Sequence, residues 1–311
     1  MHIFDHITLK PDISFFNEEE RSGYLVTVQR KKIWAVEIDL LAEFDRVCKK
    51  YDIHYCVFAG TLLGAVRHQG FIPWDDDLDV CLPRDEFERF LKVSKNEFKP
   101  PYFLQSALSD KKYFCAYARL RNSETTGLLS WTPSPEYNSG IFMDIYCMDG
   151  YLGRCFKSKM QFFQKKAIRM CLNAYYADLS QCSFKKKILY LLLKNTICSW
   201  ASYEKLYKAF VNTVSRYNQQ TKRYADSSAS TMREMDLYSI STDDFTNTAT
   251  AKFEYCSVPI PKNYKQILRN MFGNYMEFPP LDKVDEWHGN MITFDPDIPY
   301  KKYIENKIAK K

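Results

Sequence analysis

Apolar residues recur every three or four positions across residues 32–50, the spacing of an amphipathic helix that packs one face on a core. Residues 55–59 form a short apolar run that ends at Gly60, and their strand-forming side chains predict a buried strand. A short helix is predicted over residues 62–68. Further on, acidic and apolar residues alternate through residues 77–82, which predicts a strand with one face towards a site.

The pattern continues to alternate between strands and helices before it becomes mainly helical. In chain order it predicts a helix over residues 85–93, a strand over 113–120, a loop over 122–140, a strand over 141–146, basic helices over 157–217 and weak strands over 238–261. This order favours an α+β fold, a mixed sheet flanked by helices and interrupted by a helical insertion. The expected segments are an irregular start over 1–30, a catalytic core over 31–156, a helical insertion or acceptor region over 157–237, and a C-terminal part over 238–311 that completes the core and ends in a basic tail.

The composition limits the classes of protein that the chain can represent. Its 311 residues are 46% hydrophobic and 16% aromatic, which supplies a core and excludes a disordered chain. The formal charge of +6 suits anionic substrates, but without a basic and aromatic stripe it argues against a nucleic-acid partner. The ten cysteines contain no C-x-x-C pair, so we expect reduced, mostly buried thiols instead of a zinc ribbon or a disulfide framework.

No segment predicts export or insertion into a membrane. Residues 1–6 lack a basic region followed by an apolar run, and the apolar stretch 188–200 is short and contains Lys194. We therefore expect a cytoplasmic protein. The basic helical region, with Lys165, Lys166, Arg169 and residues 185–187, would either rest on the inner face of the cell membrane or present a solvated face.

The most concentrated group of acidic side chains in the chain has four carboxylates within five residues: Asp75, Asp76, Asp77 and Asp79. Carboxylates this close repel one another unless a cation neutralises them. On a strand, Asp77 and Asp79 would share one face, so we expect both to bind Mg²⁺ or Mn²⁺ as oxygen ligands. A solvated acidic turn is the ordinary alternative, but this cluster runs into an apolar strand.

The strand that ends at Gly60 is followed by Thr61 and a predicted helix. Such a turn offers backbone N–H groups and a hydroxyl to a phosphate. Together with the neighbouring D-x-D pair, it matches the pattern of nucleotidyltransferase-like sites, which take a third carboxylate from a later strand. Asp144, which lies inside an apolar run, is the candidate for this third metal ligand, unless it only caps the end of a strand.

Residues 55–82, YCVFAGTLLGAVRHQGFIPWDDDLDVCL, closely resemble the signature of the LicD family, which includes bacterial phosphorylcholine transferases and, more distantly, fukutin and fukutin-related protein. The resemblance extends over about residues 33–288 and is weakest over 157–255. Cys147 stands where the family has a proline. Further elements of the family are matched by residues 84–87, 140–149 and 272–280 and by His288.

The resemblance implies a nucleotidyltransferase-type fold and metal-dependent transfer of a phosphate-linked group. In bacterial members this group is phosphocholine, which moves from CDP-choline to a sugar hydroxyl of a surface glycan or its lipid-linked precursor, with release of CMP. Lipopolysaccharide, teichoic acid and capsule are such glycans. Other CDP-activated donors, carrying ribitol phosphate or phosphoethanolamine, and true nucleotidyl transfer with release of pyrophosphate remain open. A binding module without catalysis is disfavoured, because it has no need of three converging acids.

Individual roles follow from this hypothesis. Asp75 or Asp144 would take the proton of the attacking hydroxyl as a general base, and Asp76 would support the loop. Gly60 and Thr61 would cradle the donor diphosphate. The side chains that would contact the donor phosphates are Arg67, His68, Arg119, Arg121 and, from the C-terminal part, His288. Surface ion pairs for the arginines and plain hydrogen bonds for the histidines are equally good explanations.

A choline group on the donor would be held by aromatic rings, since a quaternary ammonium is attracted to their faces. Trp74, Trp131 and Tyr137 are near enough to the acidic cluster in sequence to serve, with Trp74 the foremost candidate. Packing in the core or in a loop is the alternative for each of them.

Overall fold

The computed structural model describes residues 2–110, 114–129, 137–280, 282, 284 and 292–309. The strands are β1 (Glu19–Arg21), β2 (Tyr24–Val26), β3 (Cys56–Val57), β4 (Asp79–Pro83), β5 (Tyr102–Gln105), β6 (Ala118–Asn122), β7 (Thr126–Leu129), β8 (Ile141–Gly150), β9 (Arg223–Asp226), β10 (Ile240–Ser241), β11 (Thr248–Phe253), β12 (Cys256–Pro261) and β13 (Ile292–Asp295). The α-helices are α1 (Val28–Lys50), α2 (Ala59–Arg67), α3 (Arg84–Val93), α4 (Phe156–Tyr175), α5 (Phe184–Asn195), α6 (Ile197–Trp200), α7 (Tyr203–Val214), α8 (Met232–Leu237), α9 (Asp243–Thr246), α10 (Tyr264–Phe272) and α11 (Tyr300–Ala309).

A seven-stranded mixed sheet forms the centre of the fold, with β8 as its longest strand. On one edge β8 pairs in parallel with β4, and on the other it pairs antiparallel with β6 along its first half and β9 along its second. The sheet continues to β3 beyond β4, to β5 beyond β6 and to β10 beyond β9. The predicted fold class, a mixed sheet with helices around it, is therefore confirmed.

The central position of β8 follows from its sequence. Its side chains are buried along almost the whole strand, as expected when both faces of a strand are covered. Helix α1 packs on β8 and β6. It begins after Thr27, whose hydroxyl accepts a hydrogen bond from the Arg30 N–H (3.3 Å) and so caps the helix.

Element boundaries agree with the sequence where the signal is local. The helices predicted over 32–50 and 85–93 are confirmed as α1 and α3. The strand predicted over 77–82 begins later, at β4, and the strand predicted over 113–120 lies later, as β6. The loop predicted over 122–140 is wrong, because β7 lies within it. β7 pairs with β13 from the far end of the chain, a partner that local periodicity does not reveal.

The predicted basic helices form a bundle, α4 to α7, between β8 and β9. The bundle has its own small core, which includes Leu172, Tyr203 and Phe210. No helix among the described residues is long and apolar enough to cross a bilayer. All ten cysteines are free, as expected, but only half of them are buried and the others are half-buried. Cys56 and Cys81 face each other across β3 and β4 with their sulfur atoms 3.6 Å apart.

Candidate active site

Three charged side chains lie in one row across the centre of the sheet. Asp79 on β4 is the register partner of Asp144 on β8, and Asp144 is the register partner of Arg119 on β6. Side chains of directly paired residues point to the same face of a sheet. The sheet therefore brings together Asp79 and Asp144, which are 65 residues apart in the sequence.

Asp77 approaches this row from a loop. Because β4 begins at Asp79, the expectation that both residues share one strand is wrong, yet Asp75, Asp77 and Asp79 line the same cavity. Two side chains of helix α1 fix the position of this loop. The Arg30 guanidinium and the Trp34 indole both donate hydrogen bonds to the backbone oxygen of Asp75, at 2.8 and 3.0 Å.

Asp76 points in a different direction from its neighbours. Its carboxylate lies 4.0 Å from the Arg30 guanidinium, and it is not among the described residues that line the cavity. The supporting role expected for Asp76 stays a prediction. Asp76 therefore carries the same charge as the cavity aspartates but a different set of contacts.

The turn from β3 into α2 packs against the aspartate loop. The Asp79 N–H donates to the Thr61 hydroxyl (2.8 Å), so Thr61 is buried against β4 while Gly60 lines the cavity. A Cβ atom on Gly60 would lie 2.7 Å from Asp75 Oδ2, closer than any side chain allows. Ala59 has a φ of 44°, a left-handed conformation that is strained for a residue with a side chain. The N-terminus of α2 thus lies directly beside the carboxylates.

A cavity of about 550 Å³ lies over the aspartates, a volume typical of small-molecule sites. Its acidic wall comes from the aspartate loop and β4, and its other wall comes from residues 272–280. Carboxylates and aromatic rings therefore share one cavity. The aromatic residues that line it are Trp74, Tyr238, Phe272, Tyr275 and Phe278.

Arg67 joins helix α2 to the C-terminal wall of the cavity. Its Nη1 donates to the backbone oxygens of Tyr275 (2.8 Å) and Glu277 (3.2 Å), and its guanidinium lies 4.8 Å from the ring centre of Phe278. Its Nε donates to His68 Nε2 at 2.9 Å. Burial, followed by the charge of Arg67, lowers the pKa of His68 to about 4. His68 is therefore neutral near pH 7, and it orients Arg67 without adding positive charge to the cavity.

Arg119 and Arg121, the two candidates for phosphate contact on β6, have different surroundings. Arg119 is buried and contacts both carboxylate oxygens of Asp144, at 2.5 and 3.3 Å. Arg121 donates to the side-chain oxygen of Gln105 and to the backbone oxygen of Gly140, each at 2.6 Å. Arg119 belongs to the acidic row and Arg121 fixes the chain just before β8, and neither is among the described residues of the cavity lining.

The carboxyl of Asp79 is buried among other acidic side chains. Burial, followed by the like charges of Asp77, Asp144 and Asp75, raises the pKa of Asp79 well above its usual value. Its Oδ1 atom is buried and has no hydrogen-bond partner among the described residues. A divalent cation beside this oxygen would offset both the repulsion and the missing bond, so Asp77 and Asp79 fit the ligands of such an ion.

Asp144 fits the same ligand set less well. Both of its oxygens face Arg119, which already supplies a positive charge. In the part of the chain that the structure describes, no three His, Cys, Asp or Glu side chains are arranged together as a metal site. Asp144 would become a third ligand only if its ion pair with Arg119 loosened.

The sequence interpretation missed a further acid, Glu37 on α1. It is fully buried, and neither carboxyl oxygen has a hydrogen-bond partner among the described residues. Burial, followed by the negative charges of the aspartate loop, raises the pKa of Glu37 well above its usual value. Glu37 follows Trp34 by three residues and so lies on the helix face that supports the loop. An acid within the apolar stretch of this helix was the available signal.

Three remaining candidates lie in different places. Trp74 is buried and lines the cavity, as expected for a residue that contacts a ligand. Tyr137 instead lines a separate cavity beside β5 and the start of α11, with Phe103 and Tyr300. His288 and Trp131 lie outside the described residues.

Part of the chain is similar to proteins of a known family. Residues 52–187 match the family model described as LicD/FKTN/FKRP, nucleotidyltransferase domain. Lipopolysaccharide cholinephosphotransferase LicD of Haemophilus influenzae is 26% identical over 253 residues, which cover 81% of this chain and 92% of that protein. An uncharacterized protein of Rickettsia prowazekii is 47% identical over 113 residues, 36% of this chain and 38% of its own length. One from Rickettsia typhi is 43% identical over 54 residues, 17% of this chain and 18% of its own.

Proposed function

We propose that residues 52–187, which match the LicD/FKTN/FKRP nucleotidyltransferase model, form the catalytic domain of a transferase, and that the protein moves phosphocholine from CDP-choline to a sugar hydroxyl. The acceptor would be a cell-surface glycan or its lipid-linked precursor, and CMP would be released. The observation that carries the proposal is the single cavity in which Asp75, Asp77 and Asp79 face a wall of aromatic rings. The similarity to a lipopolysaccharide cholinephosphotransferase over 92% of its length supports this substrate class.

The transfer is a displacement at the phosphorus atom that carries choline. The acceptor oxygen forms a bond to this phosphorus, the bond to the bridging oxygen of CMP breaks, and CMP leaves with the bonding electrons. The acceptor hydroxyl loses its proton to a carboxylate. Asp75 suits this role better than Asp144, because Asp75 lines the cavity while both oxygens of Asp144 contact Arg119.

Asp77 and Asp79 would hold Mg²⁺ or Mn²⁺, which neutralises charge on the phosphate oxygens when bound. The remaining groups position the donor. Gly60, at the start of α2, would let the diphosphate approach the helix N-terminus, and Arg67, at the other end of α2, would add a fixed positive charge to the cavity. Trp74 and Phe278 would contact the choline ammonium or the cytosine ring, since both are bound by aromatic faces.

A donor panel tests the proposal. The purified protein is incubated with Mg²⁺, a lipid-linked glycan extract and, in turn, CDP-choline, CDP-ethanolamine, CDP-ribitol or CTP. CMP release that is fastest with CDP-choline, together with choline on the glycan, is the expected result. Pyrophosphate release from CTP with attachment of the nucleotide would instead identify nucleotidyl transfer. CMP release that is fastest with another CDP donor would keep the reaction type and replace the head group.

A further inference from the structure

Residues 156–200 carry most of the exposed apolar side chains of the protein. Of the seventeen large hydrophobic side chains that are exposed among the described residues, twelve lie in this segment. They include Phe156 and Phe184, each 77% exposed, and Trp200, which is 89% exposed. We call this segment the bundle surface. An apolar concentration of this kind marks an interaction site on a protein of this size.

The apolar residues of the bundle surface follow the helical repeat. On α4, Phe156, Met160 and Phe163 succeed one another at four- and three-residue spacing, so they form one exposed stripe. On α5, Ile188 and Leu192 extend the same spacing from Phe184 at the start of the helix. Helices α4, α5 and α6 pack against one another. Each helix therefore presents an organised apolar side outward, in addition to the side that it buries.

The same segment holds an excess of positive charge. Residues 156–200 contain nine lysine or arginine side chains and one acid, Asp178, which gives a net charge of +8. The whole chain carries +6, so the residues outside this segment carry −2 in total. Lys159 and Lys166 flank the stripe on α4, and residues 185–187 form a lysine run on α5. Lys165 is buried, contrary to the expectation for it, and the other eight basic side chains of the segment are exposed or half-buried.

The opposite side of the bundle is fixed to the rest of the protein. Arg169 on α4 donates a hydrogen bond to the backbone oxygen of Ser228, beyond β9 (2.7 Å). Inside the bundle, Gln161 on α4 donates to the backbone oxygens of Thr213 (2.9 Å) and Val214 (3.0 Å) on α7. The exposed stripes therefore belong to a bundle whose inner face is already occupied. A partner for them must come from outside the part of the chain that the structure describes.

We propose that the bundle surface docks the protein on the surface of an anionic lipid bilayer. Lysine-flanked apolar stripes are the pattern of helices that lie in a membrane interface, with the apolar side among acyl chains and lysines at headgroups. An exposed tryptophan suits the same boundary. Self-pairing of two bundle surfaces would bring a charge of +8 against another +8, which favours lipid over a second copy of the chain. This inference does not depend on the proposed reaction, since binding needs no donor.

Vesicle co-sedimentation of the full chain tests the inference. We expect binding to vesicles of phosphatidylglycerol mixed with phosphatidylcholine, much weaker binding to phosphatidylcholine alone, and loss of binding as salt is raised. Replacing Lys185, Lys186 and Lys187 together with glutamine should reduce partitioning about tenfold or more, because each basic residue near an anionic surface contributes about fivefold. Replacing Phe184 and Trp200 together with serine should reduce it on anionic vesicles by a similar factor.

Matched control variants show whether binding depends on the bundle surface itself or only on the overall charge and apolar exposure of the protein. The triple change Lys252→Gln, Lys262→Gln and Lys265→Gln removes the same charge from exposed positions elsewhere, and Ile13→Ser with Leu25→Ser removes exposed apolar residues elsewhere. Both control variants should bind vesicles like the unchanged protein, and all variants should keep its thermal transition. Absence of vesicle binding, or equal losses in test and control variants, would overturn the inference. Light scattering that detects a dimer broken only by the bundle variants would assign the surface to a second copy instead.

Discussion

At the scale of single residues, the absence of a side chain at Gly60 determines where the Asp75 carboxylate can lie. Its missing Cβ is what allows Asp75 Oδ2 to approach the start of α2, since an alanine Cβ would lie 2.7 Å from that oxygen. The carboxylate must therefore move if the position gains a methyl group. Asp75 also carries the backbone oxygen that Arg30 and Trp34 hold, so the displacement falls on the side chain.

We predict that Gly60→Ala lowers transferase activity by about tenfold or more, because small displacements of catalytic groups have large effects on rate. The free energy of unfolding should change by no more than about 1 kcal/mol, since alanine is favoured over glycine in a helix. Initial rates and urea unfolding of the same preparation measure both effects. A normal rate in Gly60→Ala would mean that the position of Asp75 is not important for the reaction.

His68 supplies a pH dependence that can be measured without substrate. Burial and the neighbouring Arg67 lower the pKa of His68 to about 4, whereas an unfolded histidine titrates near its ordinary value of about 6.5. Between these two values the unfolded chain binds the extra proton and the folded protein does not. Stability contributed by neutral His68 is therefore fully present above about pH 6.5 and is lost as the pH falls towards 4.

His68→Gln should weaken this acid sensitivity, because glutamine keeps a hydrogen-bond acceptor for Arg67 and does not titrate. The expected result is a flatter plot of unfolding free energy against pH between 6.5 and 4 in the variant. His54 is an exposed histidine on the same domain, and His54→Gln serves as the matched control. Identical slopes in the unchanged protein and His68→Gln would contradict the assignment.

At the scale of elements, the Arg119–Asp144 pair links β6 to β8 inside the sheet. Both side chains are buried, so removing the arginine leaves a carboxylate without its counter-charge. Arg119→Met should lower the free energy of unfolding by about 3–5 kcal/mol in the presence of a chelator. The double variant Arg119→Met with Asp144→Asn should recover part of this loss, because no unpaired charge remains.

The same variant tests whether Asp144 can turn towards a cation. If Asp77, Asp79 and Asp144 share a divalent ion once Arg119 is absent, Mg²⁺ should stabilise Arg119→Met more than it stabilises the unchanged protein. Thermal unfolding with and without Mg²⁺ measures the difference. Equal shifts in the two proteins would restrict the ion to Asp77 and Asp79.

Elements were predictable from the sequence where their signals are local. The periodicity of α1 and the apolar run of β8 each identify an element without reference to the rest of the chain. β7 was missed because its strand character depends on pairing with β13, more than 160 positions away. Asp77 was assigned to a strand because alternation of acidic and apolar residues continues through the loop, although ladder pairing of β4 begins only at Asp79.

At the scale of the whole molecule, the site joins parts that lie far apart in the chain. The motif of residues 60–79 identifies the acidic wall of the cavity, but the opposite wall comes from residues 272–280. Arg67 connects this wall to α2 by a hydrogen bond to the backbone oxygen of Tyr275. The sequence resemblance included this later stretch, but no local pattern placed it over the aspartates. Glu37 was missed for a related reason, since only the tertiary fold turns that face of α1 towards the loop.

The molecule also separates its charges by region. The aspartate site lies at the start of β4, beside the row that crosses the centre of the sheet, while the net positive charge lies in the bundle surface of residues 156–200. Net charge alone, at +6, suggested only a mild preference for anionic partners. The distribution of that charge over the folded chain is what distinguishes a substrate site from a docking surface.

The most direct test of the account compares CMP release from CDP-choline, with Mg²⁺ and a glycan acceptor, by the unchanged protein, Asp79→Asn and Asp76→Asn. Both substitutions remove one negative charge from the same acidic segment, but Asp79 lines the cavity and Asp76 faces Arg30. We predict that Asp79→Asn slows release by about a hundredfold or more, and that Asp76→Asn stays within about tenfold of the unchanged protein. Equal rates in the two variants, or Mg²⁺-independent release that survives Asp79→Asn, would contradict a metal-dependent transfer at these aspartates.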